Sequence, residues 1–300
     1  MTSPRGTGLP RFAKYQAMGN DYLVVDPEDG LPAAPATAIA MCDRHFGIGA
    51  DGIVFRGPPA GAGQPMPTRL FNPDGSPCEL SANGLRILAL HLSRGGATEF
   101  VLDTGFRHTG VRVLDRSAGL VSIDLGRPDF DADAVGLVGG SGPVVDHPLP
   151  VAGRTLGVTC VHNGNPHAVV VLPAEDESAA RDLGPLIGRH SAFRTRVNVE
   201  FAVVRDRSSL EVVVWERGAG PVLASGSGAC AAAAAVRRLG LVGDEVDVRM
   251  RGGAVTVSVD AGGAVRLTGP VEEVATGRVS AGLAARAGRP TRPVPTSSSS

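Results

Sequence analysis

The chain has 300 residues, 43% of them apolar and 20% charged, with a formal net charge of −1. That length suits two domains with a core each. The near-neutral balance, with no long basic run, argues against nucleic acid and acidic membranes as partners.

Aromatic residues make up only 4% of the chain, so the cores must be built from Val, Leu, Ile and Ala. Residues 1–10 are rich in Pro, Gly, Ser and Arg and read as a disordered tail. They lack the apolar centre of a signal peptide, and no apolar run reaches the roughly 18 residues of a membrane span. The expectation is a cytoplasmic protein. Lys14, the only lysine, opens a first strand. A pyridoxal phosphate enzyme needs a lysine for its Schiff base, so amino-acid chemistry here is expected to need no cofactor.

Short β-like runs, several of them alternating apolar with polar, predict strands over Asp21–Asp26, Glu99–Asp103, Gly110–Leu114, Val121–Leu125, His167–Leu172, Val197–Val204, Leu210–Trp215, Val246–Met250, Ala254–Val259 and Ala264–Leu267. Helices are expected over Ala36–His45, Gly84–Ser93, Ser178–Ile187 and Gly228–Leu239. Gly/Pro-rich loops are expected over Gly57–Pro67 and Gly136–Asp146, and residues 286–300 read as a second disordered tail. Many short strands and few helices give an α+β pattern, without regular βαβ alternation. The four cysteines, Cys42, Cys78, Cys160 and Cys230, show no CxxC spacing. They read as free, mostly buried thiols, and no metal site is expected.

One short pattern occurs twice, nearly half a chain apart. Ser81-Ala82-Asn83-Gly84 and Ser225-Gly226-Ser227-Gly228 each open an apolar helical run. A helix N-terminus offers unpaired N–H groups and partial positive charge, which suit a carboxylate. Two such ends facing each other could grip one carboxylate and place a group on either side of the neighbouring carbon. One group would remove its proton and the other return one to the opposite face. The plain alternative is two glycine-rich N-caps, since Ser is a favoured cap.

Five ordered segments add to this: KYQAMGNDYLVVD (Lys14–Asp26), CDRHFGIGADGI (Cys42–Ile53), FNPDGSPCELSANGLR (Phe71–Arg86), GNPH (Gly164–His167) and ERGAGPVLASGSGAC (Glu216–Cys230). Together they resemble the diaminopimelate epimerase family, from about residue 11 to residue 275. The resemblance implies two similar domains, each a mixed sheet wrapped around a central helix, with the active site in the interdomain cleft. It places one domain at 11–128 with a returning segment at about 271–285, and the other at 129–270. It implies a cofactor-independent racemase or epimerase acting by α-proton removal and return. The substrate would be a small amino-acid-like molecule with a carboxylate, and a homodimer is compatible with the family.

The resemblance assigns a catalytic role to Ser81, Ser225, His167 and Glu216. It assigns substrate contacts to Asn20, Asn72, Ala82, Asn83, Asn165, Asn198, Arg217, Gly226 and Ser227. Within that set, Arg217 would hold a carboxylate with a fork of donors, and Glu216 would accept from an ammonium. In the family a cysteine stands at each of the positions of Ser81 and Ser225, a glycine at Ala82 and usually a polar residue at Pro221. A thiol titrates near ~8.5, lower at a helix N-terminus, whereas a serine hydroxyl needs an activating base. Three readings stay open alongside epimerisation. They are a proton-shift or double-bond isomerase of a specialised pathway, an inactive amino-acid-binding homologue, and a serine hydrolase. The last lacks a G-x-S-x-G elbow.

Overall fold

A computed structural model describes residues 8–58, 61, 64–174, 176 and 178–288. The first half runs β1 (Arg11–Ala17), β2 (Asn20–Val25), α1 (Pro35–Cys42), β3 (Gly52–Arg56), β4 (Met66–Phe71), α2 (Ala82–Leu92), β5 (Glu99–Asp103), β6 (His108–Asp115) and β7 (Leu120–Gly126). The second runs α3 (Ala132–Val135), β8 (His147–Val151), β9 (Arg154–His162), β10 (Pro166–Val171), α4 (Ala179–Asp182), α5 (Gly184–Gly188), β11 (Asn198–Asp206), β12 (Ser209–Glu216), β13 (Gly220–Val222), α6 (Gly226–Arg238), β14 (Glu245–Met250), β15 (Gly253–Val259), β16 (Val265–Pro270), β17 (Glu272–Arg278) and α7 (Ala281–Ala287). This is a two-domain α+β fold, mostly sheet, with α2 and α6 at the two centres.

The two halves repeat one device. β2 and β3 pair in parallel, as do β10 and β11. Such strands are covered on both faces and carry runs of apolar side chains rather than strict alternation. Val24 and Val54 turn toward α2, while Leu23, Val25, Ile53 and Phe55 face a second layer with α1 and α7. In the other half Val169 and Ala202 turn toward α6, while Val170, Val199 and Phe201 face the layer of α3 to α5 and Trp215.

A central helix must be apolar on all sides. Leu85, Ile87, Leu88 and Ala89 of α2 are buried, and α6 presents Ala229 and Ala231 to Ala235. The alanines let the surrounding strands approach the α6 backbone closely. The halves are joined by antiparallel pairing of β16 with β7, and β17 returns to pair with β1, Arg11 opposite Arg278.

The expected strands and central helices are present, with differences elsewhere. The helix expected over Ser178–Ile187 is two short pieces, α4 and α5. Gly184 and Gly188 press on the Trp215 ring, where a Cβ would come within 2.5 and 2.1 Å of ring atoms. Pro185 removes a backbone donor at the same place. The helix expected to reach His45 stops at Cys42, because Asp43 turns its carboxylate onto the N–H groups of His45 and Phe46. The expected loop Gly57–Pro67 ends inside β4; residues 59, 60, 62 and 63 lie outside the described residues.

Arg286 and Ala287, placed in a tail from the sequence, belong to α7, where Leu283 and Ala287 are buried. Residues 1–7 and 289–300 of the two expected tails lie outside the described residues. The strands β8, β9 and β17 had no clear sequence signal. No helix among the described residues is long and apolar enough to cross a membrane. All four cysteines are free, three of them buried and Cys78 half-buried.

Candidate active site

Ser81 and Ser225 are the N-caps of the two central helices and share one geometry. Both are extended, with φ −128° and −137°. Each hydroxyl oxygen accepts from the N–H three residues on: Gly84 to Ser81 at 3.0 Å and Gly228 to Ser225 at 3.3 Å. The next N–H groups, of Ala82 and Asn83 on α2 and of Gly226 and Ser227 on α6, donate to no acceptor among the described residues. The first turns of the two helices touch. A Cβ added to Gly226 would lie 2.9 Å from the Ala82 Cβ and 3.3 Å from Asn83 Oδ1. Two positive helix ends, with four free N–H groups, therefore meet at one point.

A chain of polar side chains runs from this junction into the N-terminal domain. Asn83 Nδ2 donates to Asn20 Oδ1 at 3.1 Å, and Asn20 Nδ2 donates to Asp51 Oδ2 at 3.2 Å. Asp51 and Asp21 share the Arg44 guanidinium, and Lys14 pairs with Asp21 at 2.8 Å. Lys14 is thus committed to a structural ion pair. On the other side, Arg86 donates to Asn83 Oδ1 at 2.8 Å. Tyr22 packs against Gly52 and Gly84, and burial holds its phenol well above its ordinary value although Ser81 lowers it, so it stays protonated.

From the second domain, His167 is fully buried between Glu200 and Asn165. Its Nδ1 lies 2.7 Å from Glu200 Oε1 and its Nε2 lies 2.6 Å from Asn165 Oδ1. Burial pushes the Glu200 carboxyl up and His167 pulls it part of the way back. Glu200 lies under the first turn of α6, since a Cβ on Gly228 would come 2.9 Å from its Oε1. The residue before Gly228, Ser227, offers its carbonyl to Asn163 Nδ2 at 2.9 Å. Glu216 ends β12, opposite Gly220 of β13, and its charge acts to raise Tyr22, Cys78 and Glu200. Asn198 accepts from the Arg217 N–H at 3.0 Å, and the exposed guanidinium donates to the Arg196 carbonyl at 3.5 Å.

The junction therefore gathers Ser81, Ala82, Asn83 and Asn20 from one domain with Ser225, Gly226 and Ser227 from the other. His167, Asn165 and Glu216 approach it from β10 and β12. Asn72 is held in its own turn instead, donating to Ser76 Oγ at 2.9 Å. Burial pushes the Cys78 thiol up to about 11 and the Cys42 and Cys160 thiols up to about 12, and it raises Cys230 further. None is placed to supply a thiolate at neutral pH. Sequence reasoning missed Tyr22, Arg86 and Glu200. Glu200 and Arg86 sit inside apolar runs, where their charge was the available signal.

The diaminopimelate epimerase family model matches residues 12–127 and 159–274. A diaminopimelate epimerase of Acaryochloris marina is 38% identical over 275 residues, covering 89% of this chain and 97% of that one. That of Desulforudis audaxviator is 40% identical, covering 89% and 98%. Among solved structures, a hydroxyproline epimerase from Agrobacterium vitis superposes with a TM-score of 0.64 at 16% identity, covering 92% of this chain and 94% of that one. A methylitaconate-delta-isomerase superposes with a TM-score of 0.60 at 14% identity, covering 96% and 99%. At those identities the two superpositions speak for the fold.

Proposed function

Because the chain belongs to the diaminopimelate epimerase family, we propose that it is a cofactor-independent isomerase that removes and returns a proton on the carbon beside a carboxylate. The observation that carries this is the contact of two helix N-termini with four free N–H groups between them. Ala82 and Asn83 would hold one side of the carboxylate, and Gly226 and Ser227 the other. Ser81 and Ser225 would then flank the neighbouring carbon. The exposed guanidinium of Arg217, held only by a long bond to the Arg196 carbonyl, suits a second anionic end of an amino-acid-like substrate. Asn20 fixes Asn83, and Asn198 fixes the strand end carrying Arg217.

The serine hydroxyls are not bases on their own. Each oxygen is occupied as an N-cap acceptor, which leaves its proton free to be donated. The removal step falls to Glu216, or to His167 once its Nε2 has released Asn165 Oδ1, its Nδ1 being held by Glu200. Tyr22 would deliver a proton through Ser81 on the other face. A second reading, proton-shift isomerisation of an unsaturated or otherwise activated acid, is favoured by the lack of any thiol poised to ionise. It needs a weaker base.

The test is incubation in D₂O with diaminopimelate, proline and a panel of other amino acids, followed by NMR. Deuterium at an α-carbon with inversion is the expected result. No exchange with any of them, at high protein concentration and long times, refutes amino-acid epimerisation. Exchange at the allylic carbon of an unsaturated acid would then support the second reading.

A further inference from the structure

Arg86 is the largest fully buried side chain among the described residues. It lies in the second turn of α2, behind the junction of the two helix ends. Its NH2 donates to Asn83 Oδ1 at 2.8 Å, its NH1 donates to the Pro270 carbonyl at 3.3 Å, and its Nε has no partner. No carboxylate among the described residues pairs with it. Glu200, the other buried charge at this junction, is bonded to His167. The group that feels Arg86 is the Cys230 thiol, five residues beyond Ser225 as Arg86 is five beyond Ser81, and burial keeps that thiol protonated. Burial lowers Arg86 to about 10, so it remains a cation at neutral pH.

A buried cation without a counter-ion is expensive by several kcal/mol. Here it is also set among two positive helix ends, which oppose it further. A site of this kind is relieved by an anion. The charges on hand amount to roughly two positive units, one from Arg86 and about half from each helix end. A substrate carboxylate carries one negative charge. When the proton on the adjacent carbon leaves, its electron pair enters the C–C bond to the carboxylate, which becomes a planar species with two.

We propose that Arg86 is the fixed counter-charge for that two-charge intermediate and acts on it through Asn83. This rests on the reading of the junction as a carboxylate site. Arg86 can only donate, so it forces the Asn83 oxygen toward itself and leaves the amide NH₂ for Asn20 and the site. Arg86 is a positioning residue: it stands behind the contact and touches no substrate atom.

The test separates charge from hydrogen bonding. Arg86→Lys keeps the charge and loses the fork, whereas Arg86→Gln keeps neutral donors for Asn83 and Pro270 and loses the charge. With the substrate identified by deuterium exchange, Arg86→Gln is expected to lower kcat by roughly 100-fold or more, the size of losing one stabiliser of developing charge. KM should change far less, and Arg86→Lys should retain most of kcat. Equal kcat in the two variants, or a loss confined to KM, overturns the proposal. Calorimetric titration with oxalate and acetate gives a readout independent of turnover. The wild type should bind the planar dianion at least about tenfold more tightly than the monoanion, and Arg86→Gln should lose that preference. A wild type without the preference refutes the role of Arg86, even if exchange occurs. The preference without exchange leaves Arg86 standing and removes the epimerase reading.

Discussion

At Gly226 the first turns of the two central helices touch, and Gly226→Ala tests whether that contact matters. The new methyl would sit 2.9 Å from the Ala82 Cβ and 3.3 Å from Asn83 Oδ1. Carbon atoms rest at about 3.5–4.0 Å, so the helix ends must separate by roughly 0.6–1 Å. Overpacking of this kind costs about 1–3 kcal/mol. Alanine in place of glycine at a helix start returns up to about 1 kcal/mol through propensity and the unfolded chain. The net loss is about 1–2 kcal/mol, which for a chain of this size lowers Tm by roughly 2–6 °C. The loss in exchange rate should be larger, about 100-fold, because a displacement near 1 Å spoils the grip on the reacting group. Ala82→Gly removes the methyl that Gly226→Ala strikes. The double variant exchanges the two residues across the junction and should recover most of the Tm and the rate. Calorimetry and the D₂O exchange assay on all four proteins complete the cycle. A harmless Gly226→Ala, or a double variant no better than the single, would refute the contact as the organising point of the site.

Two further predictions concern buried charge. Burial would raise Asp26, but hydrogen bonds from His91 at 2.9 Å and Arg56 at 2.5 Å outweigh it and hold the carboxyl at about 2. A lowered carboxyl contributes stability that is present above its unfolded value and lost as pH falls through the folded one. Asp26→Asn should therefore cost about 2 kcal/mol at pH 7, and its urea midpoint should converge with the wild type's between pH 4 and 2. A gap that persists at pH 2 would contradict this. Glu200→Gln keeps an acceptor for His167 and replaces the unpartnered Oε2 with a neutral group. Because burial disfavours the Glu200 carboxylate, Tm at pH 7 should stay level or rise. The exchange rate should fall about 10–100-fold as the imidazole loses its charged partner. A clear fall in Tm would show that the pair is structural.

The fold was largely legible because its signals are local. The strand over Glu99–Asp103 and the central helices follow from apolar period and from Ser caps, which act within one turn. The repeated serine turns located the junction before any coordinates did. What stayed hidden depends on distant residues. The break between α4 and α5 is imposed by Trp215, about thirty residues downstream. β17 exists because β1 lies waiting for it at the other end of the chain. The roles of Glu200 and Arg86 are invisible in sequence, because a charge within an apolar run shows neither what it faces nor that it is unpaired. Asn72 also donates to Ser76 Oγ within its own turn, a contact that its residue type alone did not show.

The serines also change what the helix ends can do. An N-cap must accept a hydrogen bond, and a proton shuttle must give up and retake a proton. A thiol accepts weakly and ionises readily, while a hydroxyl accepts well and ionises hardly at all. With Gly84 and Gly228 bonded to their oxygens, Ser81 and Ser225 serve the first requirement. The second must then be met elsewhere. Under the proposed reading Tyr22, buried and protonated, would act on one side, and Glu216 or the His167–Glu200 pair under the first turn of α6 on the other. The two faces of the substrate carbon would then be chemically unequal, with a weak acid on one side and an imidazole or carboxylate on the other, and removal would be favoured from the side of the second domain. Weaker bases would leave more of the barrier to be lowered by fixed positive charge such as that of Arg86.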